Sequence, residues 1–188
     1  MFLETDRLVL RPLTEADADD LFHLDNDPDV MRFINGGKAT SHEEFRRESL
    51  PRLLHFYESL GRHGFWAAVG KPDGDFLGWF ELRPLKDDDP GEVELGYRLR
   101  KAAWGRGYAT EGARALIRKG FTELGALRVV SSTMTVNTAS RRVMEKAGLT
   151  HVRTFHQWWP DIIEGSEEGD VDYALDKAGW ERGRSAEE

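Results

Sequence analysis

The chain of 188 residues contains no cysteine. That excludes disulfides, thiolate metal sites and a thiol nucleophile, and it fits a reducing cytoplasm. Long apolar runs are absent too: none approaches the roughly 20 residues that span a bilayer. The segment Met1-Phe2-Leu3-Glu4-Thr5-Asp6-Arg7 carries charges where a signal peptide needs its apolar core, so a soluble cytoplasmic protein with no membrane partner is expected. The six histidines (His23, His42, His55, His63, His151, His156) are scattered without HExxH or comparable spacing, and no metal is expected. Positive charge is also scarce. With 26 Lys and Arg against 34 Asp and Glu, the net charge of −8 argues against nucleic acid as a partner.

What is present is concentrated between Leu95 and Gly148. From Arg98 to Lys146 there are eleven basic residues and three acids, a basic island in an acidic protein. Such an island suggests a local polyanionic ligand. Inside it, Trp104-Gly105-Arg106-Gly107-Tyr108-Ala109 separates the alternating run Glu92 to Leu99 from a run with Ala113, Leu116, Ile117, Gly120 and Phe121 at helical spacing. A strand, a glycine turn and a helix start together form an anion site, because the first helical amides lack intrahelical partners and the helix dipole is positive there. No Gly-Lys-Ser/Thr follows the glycines at the required spacing, so a Walker-type nucleoside triphosphatase is not expected.

Along the rest of the chain, Leu3 to Leu13 reads as a first strand. Thr14-Glu15-Ala16-Asp17 reads as a capping box opening a helix that ends near Asn26-Asp27-Pro28. Ser41-His42-Glu43-Glu44 opens a second helical region, which Pro51 kinks or divides. Phe65 to Val69 and Phe76 to Leu82 flank the hairpin turn Lys71-Pro72-Asp73-Gly74-Asp75. The polar turn Asp87 to Gly91 leads into the strand Glu92 to Leu99. Arg128 to Thr133 is a β-branched strand, Asn137 or Thr138 caps a helix through Val143 and Met144, and Gly148 ends it. Thr150 to Trp158 and Val171 to Leu175 are the last strands, and residues 178–188 form a polar tail expected to fray. The order implies a single α/β domain over residues 1–177, with a mixed antiparallel and parallel sheet.

At this point the chain resembles the GNAT N-acetyltransferases, and within them the RimJ/RimL type that acetylates ribosomal-protein N-termini. Five ordered motifs carry the resemblance: Thr5-Asp6-Arg7-Leu8-Val9-Leu10-Arg11, Glu94-Leu95-Gly96-Tyr97, Trp104 to Glu111, Val136-Asn137-Thr138-Ala139-Ser140, and Glu145-Lys146-Ala147-Gly148-Leu149. The resemblance implies a mixed sheet splayed between its fourth and fifth strands and flanked by about four helices. It also implies acetyl-CoA as acyl donor, its pyrophosphate on the amides of Gly105, Arg106, Gly107, Tyr108, Ala109 and Thr110. Trp104 stands where the family has Gln or Arg. The pantetheine arm is expected between the splayed strands, on backbone groups near Tyr97 and Leu99, with Asn137 and Ser140 reaching the cofactor near its thiol. The plain alternative is that both merely cap or begin a helix.

Acetyl transfer to an amine needs a base, an oxyanion donor and a proton for the departing thiolate. The lack of cysteine fits direct attack in a ternary complex. Glu94 is the expected base, acting through water, and a solvated strand glutamate is the plain alternative. Many relatives carry a tyrosine general acid four residues before the glycine of the last motif. Here that residue is Met144, which has no proton to give, and Ser140 is the expected substitute. The acceptor is left open between a protein N-terminus and a small amine; the acidic remainder of the chain suits a cation. Phe33, Ile34, Asn35, Trp66, Trp79, Trp158 and Trp159 are candidates for lining its pocket or for ordinary packing. The apolar stretch Trp158 to Ile163 is expected to cover the site or to pack against a second subunit as a homodimer. An acyl-CoA-binding module without turnover is the alternative that the missing tyrosine keeps open.

Overall fold

A computed structural model describes residues 2–57, 63–86, 89–157 and 163–185. The chain opens with β1 (Leu3–Glu4) and β2 (Leu8–Pro12), which pair as a hairpin with Leu3 opposite Leu10. The single first strand expected over Leu3 to Leu13 is thus corrected to two. Thr5 turns the chain, its N–H bonding the Leu8 carbonyl and its Oγ1 accepting from the Leu8 N–H. A 3₁₀ turn follows, in which the Thr14 N–H donates to Asp17 Oδ2 at 2.8 Å, and leads into α1 (Ala18–Asp25).

The early loop expected beyond Asn26 is instead a second helix, α2 (Pro28–Asn35). Asp27 accepts from the Asp29 N–H and Pro28 occupies the first turn, where its missing N–H costs nothing. Phe33, Ile34 and Asn35 therefore lie on a helix rather than a loop. Ser41 caps α3 (His42–Glu44), and one π turn joins it to α4 (Leu50–Leu53), with Pro51 in the first turn of that segment.

The sheet continues through β3 (Phe56–Tyr57), β4 (His63–Gly70), β5 (Phe76–Lys86) and β6 (Asp89–Leu99), successive antiparallel neighbours. Residues 87 and 88 of the polar turn lie outside the described residues. After α5 (Tyr108–Glu123), β7 (Arg128–Met134) returns parallel to β6. Then come α6 (Thr138–Lys146), β8 (Thr150–Phe155), β9 (Asp170–Asp176) and α7 (Lys177–Ser185). The sheet order is β1-β2-β4-β5-β6-β7-β9-β8, with β3 on β4. The polar tail expected to fray continues as α7, because Trp180 packs on Phe121 with ring centroids 5.4 Å apart.

A core lies on each face. Leu8, Trp66, Phe80, Leu82, Val93 and Leu95 meet Leu116, Phe121 and Met144 on the α5 and α6 side. Leu13, Leu21, Leu24, Phe45, Leu53, Phe65 and Trp79 form the other, under α1 and α4. Strand alternation divides neighbouring residues between them, Phe65 to one and Trp66 to the other. Among the described helices, none is long and apolar enough to cross a membrane.

Candidate active site

The parallel pairing of β6 with β7 covers only Glu92 to Glu94 against Arg128 to Val130. Ser131 Oγ then donates to the Leu95 carbonyl at 2.8 Å, and the strands part. β6 runs on to Leu99 and β7 to Met134 without pairing with each other, so a gap opens at the end of the sheet where α5 and α6 both begin. This is the splay expected between the strands Glu92 to Leu99 and Arg128 to Thr133, which become β6 and β7 because the structure adds two short strands before them.

At the mouth of the gap Gly105 and Gly107 take φ of 70° and 83°, a region costly for side chains with a Cβ. Gly107 is the N-cap of α5 and no side chain caps it, so the first amides of the helix are left for an external acceptor. Leu99 and Trp104 sit beside this loop. Trp104 is 46% exposed while its Nε1 donates to the Leu99 carbonyl at 2.8 Å, so that carbonyl is already engaged by the protein. Of the island's cations, Arg98, Arg100 and Lys101 pair with Asp25, Asp20 and Asp29. Arg106 and Arg142 remain exposed near the two helix starts.

On the α5 and α6 side of the gap, the Tyr97 hydroxyl donates to the Ser140 carbonyl at 3.1 Å and lies 3.0 Å from Ser140 Oγ. Burial pushes the Tyr97 phenol up to about 12 against the opposing Ser140 hydrogen bond, so it stays a proton donor. Asn137 is occupied at both ends of its amide: Oδ1 accepts the Ser140 N–H at 3.2 Å, and Nδ2 donates to Thr133 Oγ1 at 3.1 Å. Its observed work is to cap α6 and fix Ser140. Met144 is 1% exposed and belongs to the core.

On the opposite face the structure brings forward a residue that the alternation pattern passed over. Glu81 on β5 pairs across with Gly96 on β6, and Arg83 with Glu94. Glu94 is held in an ion pair with Arg83. The Glu81 carboxyl lies over Gly96, where an added Cβ would stand 2.7 Å from its Cγ. Burial, aided by the nearby Glu94 charge, pushes Glu81 up from 4.5 to about 7, opposed by Arg83, Arg52 and Arg98. Arg83 Nε is 3.3 Å from Glu81 Oε2 but out of hydrogen-bonding alignment. Trp79 Nε1, Glu81 Oε2 and Arg98 Nε are buried and find no hydrogen-bond partner among the described residues. The signal in the sequence was the glycine at 96, read only as part of a motif and not as space for a neighbour.

The aromatic candidates separate. Trp66 is core, stacked on Phe2 with ring centroids 4.2 Å apart. Trp79 stays at the polar cluster, with Arg98 Cζ 5.0 Å from its ring. Trp158 and Trp159, with the rest of their stretch to Ile162, lie outside the described residues.

This geometry has relatives. The protein named FsC-acetyl coenzyme A-N(2)-transacetylase from Aspergillus fumigatus is 38% identical over 186 residues, which cover 96% of this chain and 78% of that protein. The uncharacterized protein YkkB of Bacillus subtilis is 33% identical over 159 residues, covering 83% and 89%. Among solved structures, an acetyltransferase of the GNAT family from Bacillus anthracis superposes with a TM-score of 0.77 at 23% identity, covering 95% of this chain and 99% of that one. Spermidine N-acetyltransferase from Vibrio cholerae, solved with CoA and spermine, gives 0.75 at 14% identity over 94% and 99%, a likeness of fold. The acetyltransferase (GNAT) domain pattern matches residues 7–150, and the chain belongs to that family of enzymes, which take their acyl group from acetyl-CoA.

Proposed function

We propose that the protein is an N-acetyltransferase of the RimJ/RimL kind, acetylating a primary amine, either a protein N-terminus or a small amine, by direct attack in a ternary complex. The observation that carries this reading is the Glu81 carboxyl, raised to about 7 and laid over Gly96 beside the opening between β6 and β7. A base of that pKa takes a proton from an ammonium group near neutral pH, leaving the free amine to attack. Glu94, ion-paired with Arg83, adds to the rise at Glu81 that burial begins, while Arg83 itself opposes it.

The donor lies with its pyrophosphate on the amides of residues 105–110 and its pantetheine in the gap. The amine nitrogen bonds to the thioester carbon from the Trp79 face, and a β6 backbone N–H near Tyr97 stabilises the oxyanion. The C–S bond then breaks and sulfur takes a proton from the Ser140 hydroxyl, 3.0 Å from that of Tyr97; the proton that the attacking nitrogen sheds as it becomes an amide restores the Ser140 hydroxyl. Two names support a nitrogen acceptor: the Aspergillus relative acts at an N(2) position, and the Vibrio fold neighbour was solved with spermine.

The test is release of free CoA thiol from acetyl-CoA over a panel of N-terminal peptides, polyamines and small amines. Amine-dependent release is expected, with Glu81→Gln lowering kcat/KM by roughly 100-fold or more and removing a pH limb near 7. Tight CoA binding with no release on any acceptor would instead mark an acyl-CoA-binding module.

A further inference from the structure

The first motif of the chain, Thr5-Asp6-Arg7-Leu8, has no part in the chemistry above, yet it meets the glycine turn a hundred residues later. Three donors from the β1–β2 turn converge on one carboxylate, Glu111 in the first turn of α5. Thr5 Oγ1 donates to Glu111 Oε1 at 2.6 Å, the Arg7 N–H to the same oxygen at 2.9 Å, and Arg7 Nε to Oε2 at 2.7 Å. Arg7 then reaches past α5, and its NH1 donates to the Arg106 carbonyl at 2.9 Å. Its guanidinium also lies 4.6 Å from the Tyr108 ring, and an added Cβ on Gly107 would sit 3.3 Å from its NH2.

These contacts address the turn from one side. Arg7 takes the carbonyl of the peptide between Arg106 and Gly107, and across a planar trans peptide the N–H of Gly107 points the opposite way. A cation fixing the carbonyl therefore fixes the direction of the amide. Gly105 and Gly107, both at positive φ, otherwise leave this segment more backbone freedom than any other residue type would. Glu111 anchors the cation. Burial works to raise its carboxyl, but the bonds from Thr5 and Arg7 outweigh this and hold it below the ordinary carboxylate range, so it stays charged.

We infer that Arg7, set by Glu111 and Thr5, is a positioning residue that holds the glycine turn in the shape that receives the pyrophosphate of the donor. It touches the loop and acts on the ligand through it. The inference rests on residues 105–110 being the pyrophosphate site.

The experiment measures CoA affinity by calorimetry and steady-state kinetics on Arg7→Ala, Glu111→Gln and Gly107→Ala. Glu111→Gln keeps the side-chain bulk but sets an amide where Arg7 Nε needs an acceptor. For Arg7→Ala and for Glu111→Gln, CoA dissociation constant and acetyl-CoA KM are expected to rise about tenfold, the equivalent of one good hydrogen bond. The acceptor KM and kcat at saturating donor should be unchanged. CoA affinity within twofold of wild type in the folded variants would overturn the inference, as would a parallel rise of both KM values with a falling melting temperature. Should Arg7→Ala not fold, Glu111→Gln decides alone. Gly107→Ala separates the two levels: if it too leaves CoA binding intact, the pyrophosphate assignment fails; if it alone weakens CoA, only the role of Arg7 fails.

Discussion

A single missing side chain organises the proposed base. Gly96 faces Glu81 across β5 and β6, and the space that a Cβ would fill is taken by the Glu81 carboxyl. The carboxyl owes its raised pKa to this burial more than to any one charge, so moving it toward water returns it toward 4.5. Gly96→Ala brings the new Cβ to 2.7 Å from Cγ and closer still to Oε1, and the flexible side chain swings away while the strand holds. The expected result is a fall in kcat/KM approaching that of Glu81→Gln, a pH limb displaced below 7, and a melting temperature changed by only a few degrees. A pH–rate profile with circular dichroism melts on the same preparation checks it. A Gly96→Ala enzyme of full activity with the limb still near 7 would remove Glu81 from the mechanism.

At the scale of elements, α5 is pressed onto the sheet at one point. An added Cβ on Gly112 would stand 2.7 Å from ring carbons of Phe80, whose side chain is fully buried. Ala in place of a helical Gly would ordinarily stabilise by roughly 0.5–1 kcal/mol, but overpacking a rigid core costs about 1–3 kcal/mol. Gly112→Ala is therefore expected to lower the urea midpoint at unchanged m-value, and a midpoint at or above wild type would show the ring to have room. The helix itself was legible in the sequence, as were the β4–β5 hairpin, β6, β7 and the caps at Ser41 and Asn137, because each shows a periodicity or a turn residue locally. What stayed hidden shares its signals or borrows its stability. Asp27-Pro28 read as the end of α1, yet the same pair is the cap and first turn of α2. The polar α7 is held by Trp180 against Phe121, a contact no local pattern announces. Likewise alternation placed Glu94 on its face but gave no means to rank Glu81 above it, since the ranking depends on Arg83 and on burial, both matters of cross-strand pairing.

For the molecule as a whole, the basic island is less positive than its residue count, because its cations reach into the acidic remainder. Arg98 to Asp25, Arg100 to Asp20 and Lys101 to Asp29 bind α1 and α2 to the segment leaving β6, and Arg128 joins Glu92 and Asp176. Charge thus holds α1 and α2 to the segment between β6 and α5, and the carboxylates make stability a function of pH. Burial works to raise Asp17, but Arg11 and Thr14 outweigh it and hold Asp17 below 3.8; Glu111 is held below 4.5 by Thr5 and Arg7 in the same way. Such groups bind fewer protons folded than unfolded, so their contribution is present above those ordinary values and is lost as pH falls through the lowered ones. Glu81 runs the other way. Its folded value near 7 exceeds the unfolded 4.5, so its contribution is complete below about 4.5 and is lost as pH rises to about 7, after which it is constant. Wild-type stability is therefore expected to fall on acidification below pH 4 and also to decline between pH 4.5 and 7. Glu81→Gln keeps the neutral shape without the ionisation, so its stability relative to wild type should grow through that window by up to a few kcal/mol and then level off. Urea titrations of both proteins at half-unit pH steps from 3.5 to 8.5 measure the difference directly, and parallel curves across the window would mean that Glu81 ionises in the folded protein as readily as in the unfolded chain.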